Sequence, residues 1–390
     1  MRIKPANRTE SVQEYYFSMK LKEIAEMRAK GNNIINLGIG SPDMAPSGNT
    51  IEKLIESSGN PKNHGYQSYI GIPELRNSFA SWYKKYFNVT LNPQNEILPL
   101  MGSKEGIMHI SMAFVNEGDE VLIPNPGYPT YESVSNLVGA KIKYYNLDKD
   151  NNWLPDLNAL EKENLENVKL MWVNYPNMPT GTRATKALFQ NLVGFGLKHN
   201  ILICNDNPYS FILNDEQLSI LEVDGAKEIA LELNSLSKSH NMAGWRIGMV
   251  AGSEEYISTI LKVKSNMDSG MFLSLQLAAV EALGNSATWY TGINLIYAKR
   301  REIVFEILDV LQCKYEKHQT GMFVWANIPN EFESGEMLSD YVLKEAFVFL
   351  TPGFIFGTQG NAYIRVSLCT EESQLIEGKH RIINLFNKNN

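Results

Sequence analysis

Residues 235–248 constrain the chain most, because this short stretch contains a lysine, two serine hydroxyls and an arginine. Apolar runs precede and follow it and predict buried strands on both sides. Ser235 and Ser237 come just before Lys238, and Arg246 follows after a glycine-bearing turn. Lysine forms Schiff bases with carbonyl groups, and the planar fork of arginine suits phosphate. Together these groups could hold a phosphorylated aldehyde.

The motif around Lys238 has a simpler reading when it is taken alone. A lysine in a polar turn is usually a solvated surface residue, and short motifs match by chance. The motif therefore predicts a catalytic element only if the rest of the chain supports one.

The composition excludes several classes of protein. The net charge is −7 and the basic residues are scattered, so a nucleic acid is not an expected partner. The three cysteines lie far apart without a Cys-x-x-Cys pair, which predicts neither a disulfide framework nor a metal site. No signal peptide and no membrane-spanning apolar run is visible. These features predict a cytoplasmic enzyme that does not interact with membranes.

The order of apolar and helical patterns predicts an α/β fold. A helical pattern covers residues 11–30, and from residue 96 to 260 short apolar runs alternate with helical patterns, which is typical of a mostly parallel sheet. From residue 272 onward long helices and short strand-like runs predict a second, α+β domain. A final amphipathic helix is predicted over residues 371–387.

Chemically useful residues follow the predicted strands, at the edge of the sheet where ligands bind in such folds. Gly102 begins a turn and helix that expose backbone N–H groups to an anion, and later turns present Tyr128, Asn174, Asp206 and Tyr209. Each is weak alone, since a strand-end aspartate is usually a cap. Their order along the chain is what points to a site.

An earlier glycine turn, Gly38-Ile39-Gly40, has two interpretations. A dinucleotide fingerprint is disfavoured, because Pro42 interrupts the helix that should follow and the third glycine is missing. Close approach of the backbone to a small ligand is the better explanation.

Taken in order from Gly38 to Arg365, these motifs resemble the class I and II aminotransferases, which are pyridoxal-phosphate enzymes of fold type I. The motifs LGIGSPD, GSKEG and PNPGYP look most like the branch that includes diaminopimelate and alanine aminotransferases. The resemblance implies a large domain, residues 46–275, with a mostly parallel mixed sheet flanked by helices. Both chain ends, residues 1–45 and 276–390, would form a smaller α+β domain.

The resemblance also implies roles for individual residues. Lys238 would carry the cofactor as a Schiff base and then move a proton as general acid and base. Asp206 would pair with the pyridine nitrogen, Tyr209 would donate to the ring oxygen, and Tyr128 would stack on the ring. The cofactor phosphate would be bound by a larger group of residues, namely Gly102, Ser103, Lys104, Ser235, Ser237 and Arg246.

Substrate and dimer contacts are implied in the same way. Arg365 would bind the substrate α-carboxylate with two parallel hydrogen bonds, and Ile39 and Gly40 would close over the substrate as a lid. Tyr66 matches a tyrosine that reaches the phosphate of the neighbouring subunit, so a homodimer with shared active sites is implied.

One position departs from the family pattern. Where the family commonly has an asparagine that bonds the ring oxygen, this chain has Met178. Methionine cannot donate that bond, so either Tyr209 acts alone or Asn174 or Asn177 replaces it. Our hypothesis is that Asn174 does so, because its side chain leaves the end of the same strand.

The predicted activity is transfer of an amino group between an L-amino acid and a 2-oxo acid, with glutamate and 2-oxoglutarate as one pair. The alternative on the same fold is a lyase that eliminates a β-substituent, for example by breaking a C–S bond. A DNA-binding regulator is disfavoured, because the motifs start by Gly38 and leave no room for a preceding domain. For the substrate side chain, the sequence offers residues 268–273, Tyr15 and Tyr16, Met322 and Phe354 as candidate neighbours.

Overall fold

The computed structural model describes residues 3–10 and 16–387. Its longest described helix runs from Ala287 to Val310, in the region where the sequence predicted long helices. The helices are α1 Tyr16–Ala29, α2 Gly48–Ser58, α3 Pro73–Phe87, α4 Ser103–Phe114, α5 Pro129–Leu137, α6 Leu157–Leu160, α7 Lys186–His199, α8 Ala226–Ile229, α9 Leu236–Ser239, α10 Glu254–Lys264, α11 Leu273–Leu283, α12 Ala287–Val310, α13 Gly335–Ala346 and α14 Glu372–Asn387.

The strands are short, with at most six residues each. They are β1 Ile35–Asn36, β2 Ile97–Leu100, β3 Glu120–Asn125, β4 Lys141–Asn146, β5 Val168–Val173, β6 Leu202–Asp206, β7 Ala230–Ser235, β8 Gly248–Ala251, β9 Lys314–Tyr315, β10 Phe323–Asn327, β11 Val348–Phe349, β12 Thr351–Pro352 and β13 Tyr363–Ser367. Every residue of β6 and β7 is buried, as expected for strands covered on both faces.

The central sheet has seven strands in the order β2-β8-β7-β6-β5-β3-β4. All neighbours from β7 to β4 are parallel, and β8 is antiparallel to both β7 and β2. The predicted α/β fold with a mostly parallel mixed sheet is therefore confirmed. Because β3, β5, β6 and β7 run in one direction, their carboxyl ends meet at one edge, which is where the sequence placed its candidate residues.

The two ends of the described chain pack together beside this sheet. A second, antiparallel sheet has the order β12-β13-β10-β9, and β1 pairs in parallel with β11. Arg300 of α12 binds Asp43 with two hydrogen bonds of 2.6 and 2.8 Å, so the segment after β1 is anchored to the long helix. The N-terminal strand thus belongs structurally with the C-terminal elements.

Two findings concern the chain's first helix and its membrane behaviour. Helix α1 begins at Tyr16 within the predicted helical stretch, and Tyr15 lies outside the described residues. None of the described helices combines the length and the apolar character needed to cross a bilayer.

Glu232 is an acidic residue at the centre of β7, and it is fully buried. Its Oε1 accepts hydrogen bonds from the Tyr83 hydroxyl at 2.9 Å and the Ser219 hydroxyl at 2.8 Å. Its Oε2 accepts from Asn205 at 2.9 Å and from the backbone N–H of Ile220 at 3.2 Å. Burial raises the pKa of Glu232, while the Asn205, Ser219 and Tyr83 bonds oppose the rise. One carboxylate therefore satisfies four donors, which come from α3, from β6 and from the adjacent residues Ser219 and Ile220.

We expect Glu232→Leu to lower the free energy of unfolding by about 3 kcal/mol or more, because the buried donors lose their acceptor. Urea denaturation followed by circular dichroism measures this loss. Lys169→Leu is the control, since Lys169 is a charged residue on β5 of the same sheet but is exposed. Equal stability of the two variants would contradict the role assigned to Glu232.

Candidate active site

A cavity of about 510 Å³ lies at the carboxyl edge of the central sheet. It brings together residues that are more than 300 positions apart in the chain, from Ile39 to Arg365. The predicted residues that line it are Ile39, Gly40, Ser103, Lys104, Tyr128, Asn174, Asp206, Tyr209, Ser235, Ser237, Lys238, Arg246 and Arg365. Of the predicted set, Gly102 lies directly beside the cavity and Tyr66 lies on the surface.

Lys238 extends into the cavity from the short helix α9, which follows β7. Its Nζ donates a 2.6 Å hydrogen bond to the carbonyl oxygen of Gly40. Burial lowers the pKa of Lys238 below its ordinary value, and the positive charges of Arg365 and Arg246 lower it further. A lysine with a lowered pKa is a better nucleophile and a better base near neutral pH.

Asp206 ends β6 and is 5% exposed. Its Oδ2 accepts a 3.1 Å hydrogen bond from the hydroxyl of Tyr131, whereas its Oδ1 is buried and has no hydrogen-bond partner among the described residues. Burial raises the pKa of Asp206 to about 7, and the Tyr131 hydrogen bond and the nearby Lys238 charge oppose that rise. A buried carboxylate with one unsatisfied oxygen calls for a donor from a ligand.

Tyr131 is a residue that the sequence did not single out. It is fully buried on α5, and its ring stacks on Trp172 with centroids 5.1 Å apart and an interplanar angle of 4°. The stacking fixes the direction of its hydroxyl toward Asp206. Its position three residues after Tyr128 was the only available signal, and on a helix that spacing is equally typical of core packing.

Hydroxyl groups, a guanidinium and a helix N-terminus meet at the other end of the cavity. The Ser235 hydroxyl donates to Ser237 at 2.8 Å, and Arg246 Nη1 lies 3.4 Å from the Ser237 hydroxyl. Gly102 precedes α4 with φ = 87°, and a Cβ there would lie 2.1 Å from Arg246 Nη2. Glycine is therefore required at this position, both by the backbone conformation and by the close approach of the guanidinium. Such a group of donors is typical of a phosphate site.

Arg365 lies on β13 and is 4% exposed. Its Nη2 donates to the Gly38 carbonyl at 2.9 Å, and its Nη1 lies 3.3 Å from the sulfur of Met178. The Ile39 carbonyl accepts a 2.7 Å hydrogen bond from Ser367 on the same strand. The segment that contains Ile39 and Gly40, which was predicted to be a lid, is thus hydrogen-bonded to β13. Gly40 of the same segment is hydrogen-bonded to Lys238.

Two tyrosines and an asparagine complete the polar wall. Tyr209 is 8% exposed and Tyr128 is half-buried, and burial raises the pKa of both hydroxyls. Asn174 donates to the Asp206 carbonyl through its amide nitrogen and accepts from the Met178 N–H at 2.8 Å. Its nitrogen keeps one further hydrogen for a ligand, so the hypothesis that it replaces the asparagine missing at Met178 stays a prediction.

Tyr66 does not lie in the cavity of its own chain, because it is 93% exposed. Exposed apolar residues occur on the segments around it, among them Tyr69 and Phe272. These segments touch, since the rings of His64 and Phe272 are 5.5 Å apart.

The candidates that the sequence offered for the substrate side chain lie mostly outside this cavity. Tyr16, Met322 and Phe354 do not line the cavity of the described chain, and neither do residues 268–273. The rings of Tyr16 and Phe354 pack on each other instead, with centroids 5.2 Å apart.

One group of possible metal ligands exists that the sequence did not reveal. Glu105, His109 and Asp268 offer ligand atoms that all lie within 4.8 Å of one another. Lys264 Nζ lies 2.8 Å from Asp268 Oδ2 and balances its charge, so we assign no ion to this group. Glu105 and His109 lie one turn apart on α4, but Asp268 is too far away in the sequence for the spacing to have indicated a cluster.

The cavity fits pyridoxal 5′-phosphate, the cofactor implied by the sequence motifs. Asp206 presents an unsatisfied buried oxygen suited to a protonated ring nitrogen, and the group formed by Ser235, Ser237 and Arg246 suits a phosphate. Lys238 lines the same cavity and can reach a carbonyl carbon bound there. Each chemical end of the cofactor has a matching partner.

Comparisons with known proteins agree with this assignment. The family model described as "Aminotransferase class I and II" matches residues 32–382. Proteins named LL-diaminopimelate aminotransferase from Dehalococcoides mccartyi and Nitratidesulfovibrio vulgaris are each 40% identical, covering 98% of this chain and 99% of their own length. The structure of apo-BacF from Bacillus subtilis superposes with a TM-score of 0.93 at 37% identity, covering 99% of this chain and 98% of that one.

We expect Tyr131→Phe to move the acidic limb of the kcat/KM profile to higher pH by about one unit. The lost hydrogen bond stabilises the charged carboxylate by about 1 kcal/mol, so the pKa of Asp206 rises and the carboxylate protonates earlier as pH falls. The pH profile of the purified enzyme measures the shift.

The control for that experiment is Tyr145→Phe. Tyr145 is also a buried tyrosine, but its hydroxyl donates to the backbone carbonyl of Trp172 instead of to a titrating group. An unshifted acidic limb in Tyr131→Phe, or the same shift in both variants, would show that Tyr131 does not tune Asp206.

Proposed function

Because this chain belongs to the class I and II aminotransferases, which depend on pyridoxal phosphate, we propose that glutamate and 2-oxoglutarate form one of its two substrate pairs. The other pair is an L-amino acid and its 2-oxo acid. The main support for the roles of these residues is that Lys238, Asp206, Arg246 and Arg365 line the same cavity.

Lys238 acts as the proton carrier at the substrate Cα. Its lowered pKa leaves more of the amine uncharged than in a solvated lysine, which favours its accepting the Cα proton and donating it again later in the reaction. The Gly40 carbonyl, 2.6 Å from Nζ, orients the amine. Bound pyridoxal phosphate supplies the electron sink that makes the Cα proton acidic.

The remaining residues bind and orient the substrate and the cofactor. Arg365 binds the substrate α-carboxylate, and the aromatic side chains that surround Arg365 exclude water from that contact. Asp206 holds a proton on the ring nitrogen, and Tyr131 keeps the carboxylate charged and correctly turned. Arg246 and the hydroxyls of Ser235 and Ser237 bind the phosphate, and Tyr209 donates to the ring oxygen.

A reaction without any acceptor tests the proposal. We expect L-glutamate to yield about one 2-oxo acid per active site and then to stop, because the amino group remains on the enzyme until an acceptor removes it. Adding a 2-oxo acid restarts turnover. Mass spectrometry of the 2-oxo acid and an assay for ammonia measure both phases.

The amino donors in that assay include LL-diaminopimelate, because curated relatives carry that name. Lys238→Ala is the inactive control, and Lys264→Ala is the matched lysine variant outside the cavity. L-Cysteine, whose β-substituent can leave, is added to the donors, and continuous release of pyruvate, ammonia and sulfide from it would contradict transamination and favour a β-eliminating lyase.

We further propose that the enzyme is a homodimer in which Tyr66 binds the phosphate in the partner subunit. The high exposure of Tyr66 and the apolar residues near it support a subunit interface at this surface. We also propose that Ile39 and Gly40 close over the substrate as a lid. Residues 46–275 are proposed to form the large domain, and residues 1–45 and 276–390 the small domain. The three free, buried cysteines are compatible with the proposed cytoplasmic location.

We expect Tyr66→Phe to raise the dissociation constant of the cofactor about tenfold, since one charge-assisted hydrogen bond to the phosphate is lost. Mixed dimers of Tyr66→Phe and Lys238→Ala chains would then contain one intact site, because the two substitutions fall in the same active site. Activity at limiting cofactor measures the recovery, and Tyr69→Phe is the control for an exposed tyrosine in the same loop. Absence of recovery on mixing would place Tyr66 in its own chain's site.

A further inference from the structure

Helix α1 contributes an apolar wall to the active-site cavity. Phe17 and Leu21 are one helical turn apart, so they project from the same face of α1, and both line the cavity. Leu21 is 42% exposed, which places it at the mouth. None of the residues with a predicted role in catalysis or cofactor binding lies on this helix.

Aromatic rings continue this wall around Arg365. Its Cζ atom lies 3.8 Å from the ring centroid of Phe323, 4.6 Å from that of Phe356 and 5.8 Å from that of Phe17. The α-carboxylate and the side chain of an amino acid leave the same carbon atom. A substrate bound through its carboxylate to Arg365 therefore has its side chain within reach of these rings.

Charge in the cavity is strongly unbalanced. Among the described residues that line it, Asp206 is the one carboxylate, and it is committed to the ring nitrogen and to Tyr131. The cationic side chains that line it are those of Lys104, Lys238, Arg246 and Arg365. No described residue that lines the cavity offers a further carboxylate, so a side chain that ends in an ammonium group would lose its hydration here without gaining an anionic partner among them.

From the apolar wall and the charge balance, we infer that the amino donor paired with glutamate has an uncharged, apolar side chain, aromatic side chains being preferred. Phe17 and Leu21 set this preference. The inference rests on the proposed aminotransferase function and names the substrate class of the same site.

Carboxylates without an α-amino group test the inference without transamination. Hexanoate and 6-aminohexanoate have the same length and differ only in the terminal ammonium group. We expect the holoenzyme to bind hexanoate at least about tenfold more tightly, because the ammonium group is desolvated without a partner. We also expect 3-phenylpropionate to bind at least about tenfold more tightly than propionate, since the phenyl ring is removed from water. Isothermal titration calorimetry measures all four dissociation constants.

Two variants of α1 locate the effect. Phe17→Ala is expected to weaken 3-phenylpropionate several-fold and leave propionate unchanged, whereas Met19→Ala changes neither, because Met19 is 49% exposed on the same helix and does not line the cavity. Leu21→Glu places a carboxylate at the exposed mouth. Because this carboxylate attracts the terminal ammonium group, Leu21→Glu is expected to reduce the preference for hexanoate over 6-aminohexanoate several-fold. A changed preference between two ligands requires a folded site, so misfolding cannot produce it.

Amino-group transfer to 2-oxoglutarate separates the two proposals. Transfer from L-phenylalanine with at least about tenfold lower kcat/KM for L-lysine and LL-diaminopimelate supports the inference. Equal or better transfer from the two diamino acids, or equal binding of hexanoate and 6-aminohexanoate, overturns it and leaves the aminotransferase function intact. Absence of transfer from every donor overturns the proposed function itself.

Discussion

The burial of Asp206 and Lys238 in one cavity is the constraint on which the rest of the site depends. Each group loses hydration, and burial disfavours the charged form of each, since it raises the pKa of the acid and lowers that of the amine. The Tyr131 hydroxyl opposes the change at Asp206, and stacking on Trp172 holds that hydroxyl in place. The electrostatics of Asp206 therefore depend on Tyr131 and, through its ring stacking, on Trp172.

The central sheet makes this arrangement possible. Parallel strands deliver their last residues to one edge, so Asp206 of β6 and the segment after β7 reach the same cavity from positions that are fixed by buried backbone. Glu232 stabilises the same region, because it accepts a hydrogen bond from Asn205. The side chain of Asn205 in turn accepts a hydrogen bond from the Tyr175 N–H, which follows β5. A buried charge in a strand is costly, and four donors around it offset that cost.

Much of the fold and of the polar site could be predicted from the sequence, because both depend on local patterns. Alternating strands and helices indicated a mostly parallel sheet, and residues that follow strands indicated the edge where Lys238 and Asp206 lie. Contacts between distant segments could not be predicted. Tyr131 looked like a core residue of a helix, and Phe17 was indistinguishable from other apolar residues of α1. Their roles arise only from how helices and chain ends pack against the sheet.

Two walls of the cavity differ in how closely they pack against Arg365. Phe323 is held against Gly40, where a Cβ would come within 2.3 Å of its ring, and the same ring stacks on Arg365. Any change at Phe323 would therefore disturb the reaction itself. Leu21, in contrast, stands on an exposed helix that carries no catalytic group. Substrate range could drift through this helix during evolution while the chemistry stays constant, and redesign of the enzyme would begin there.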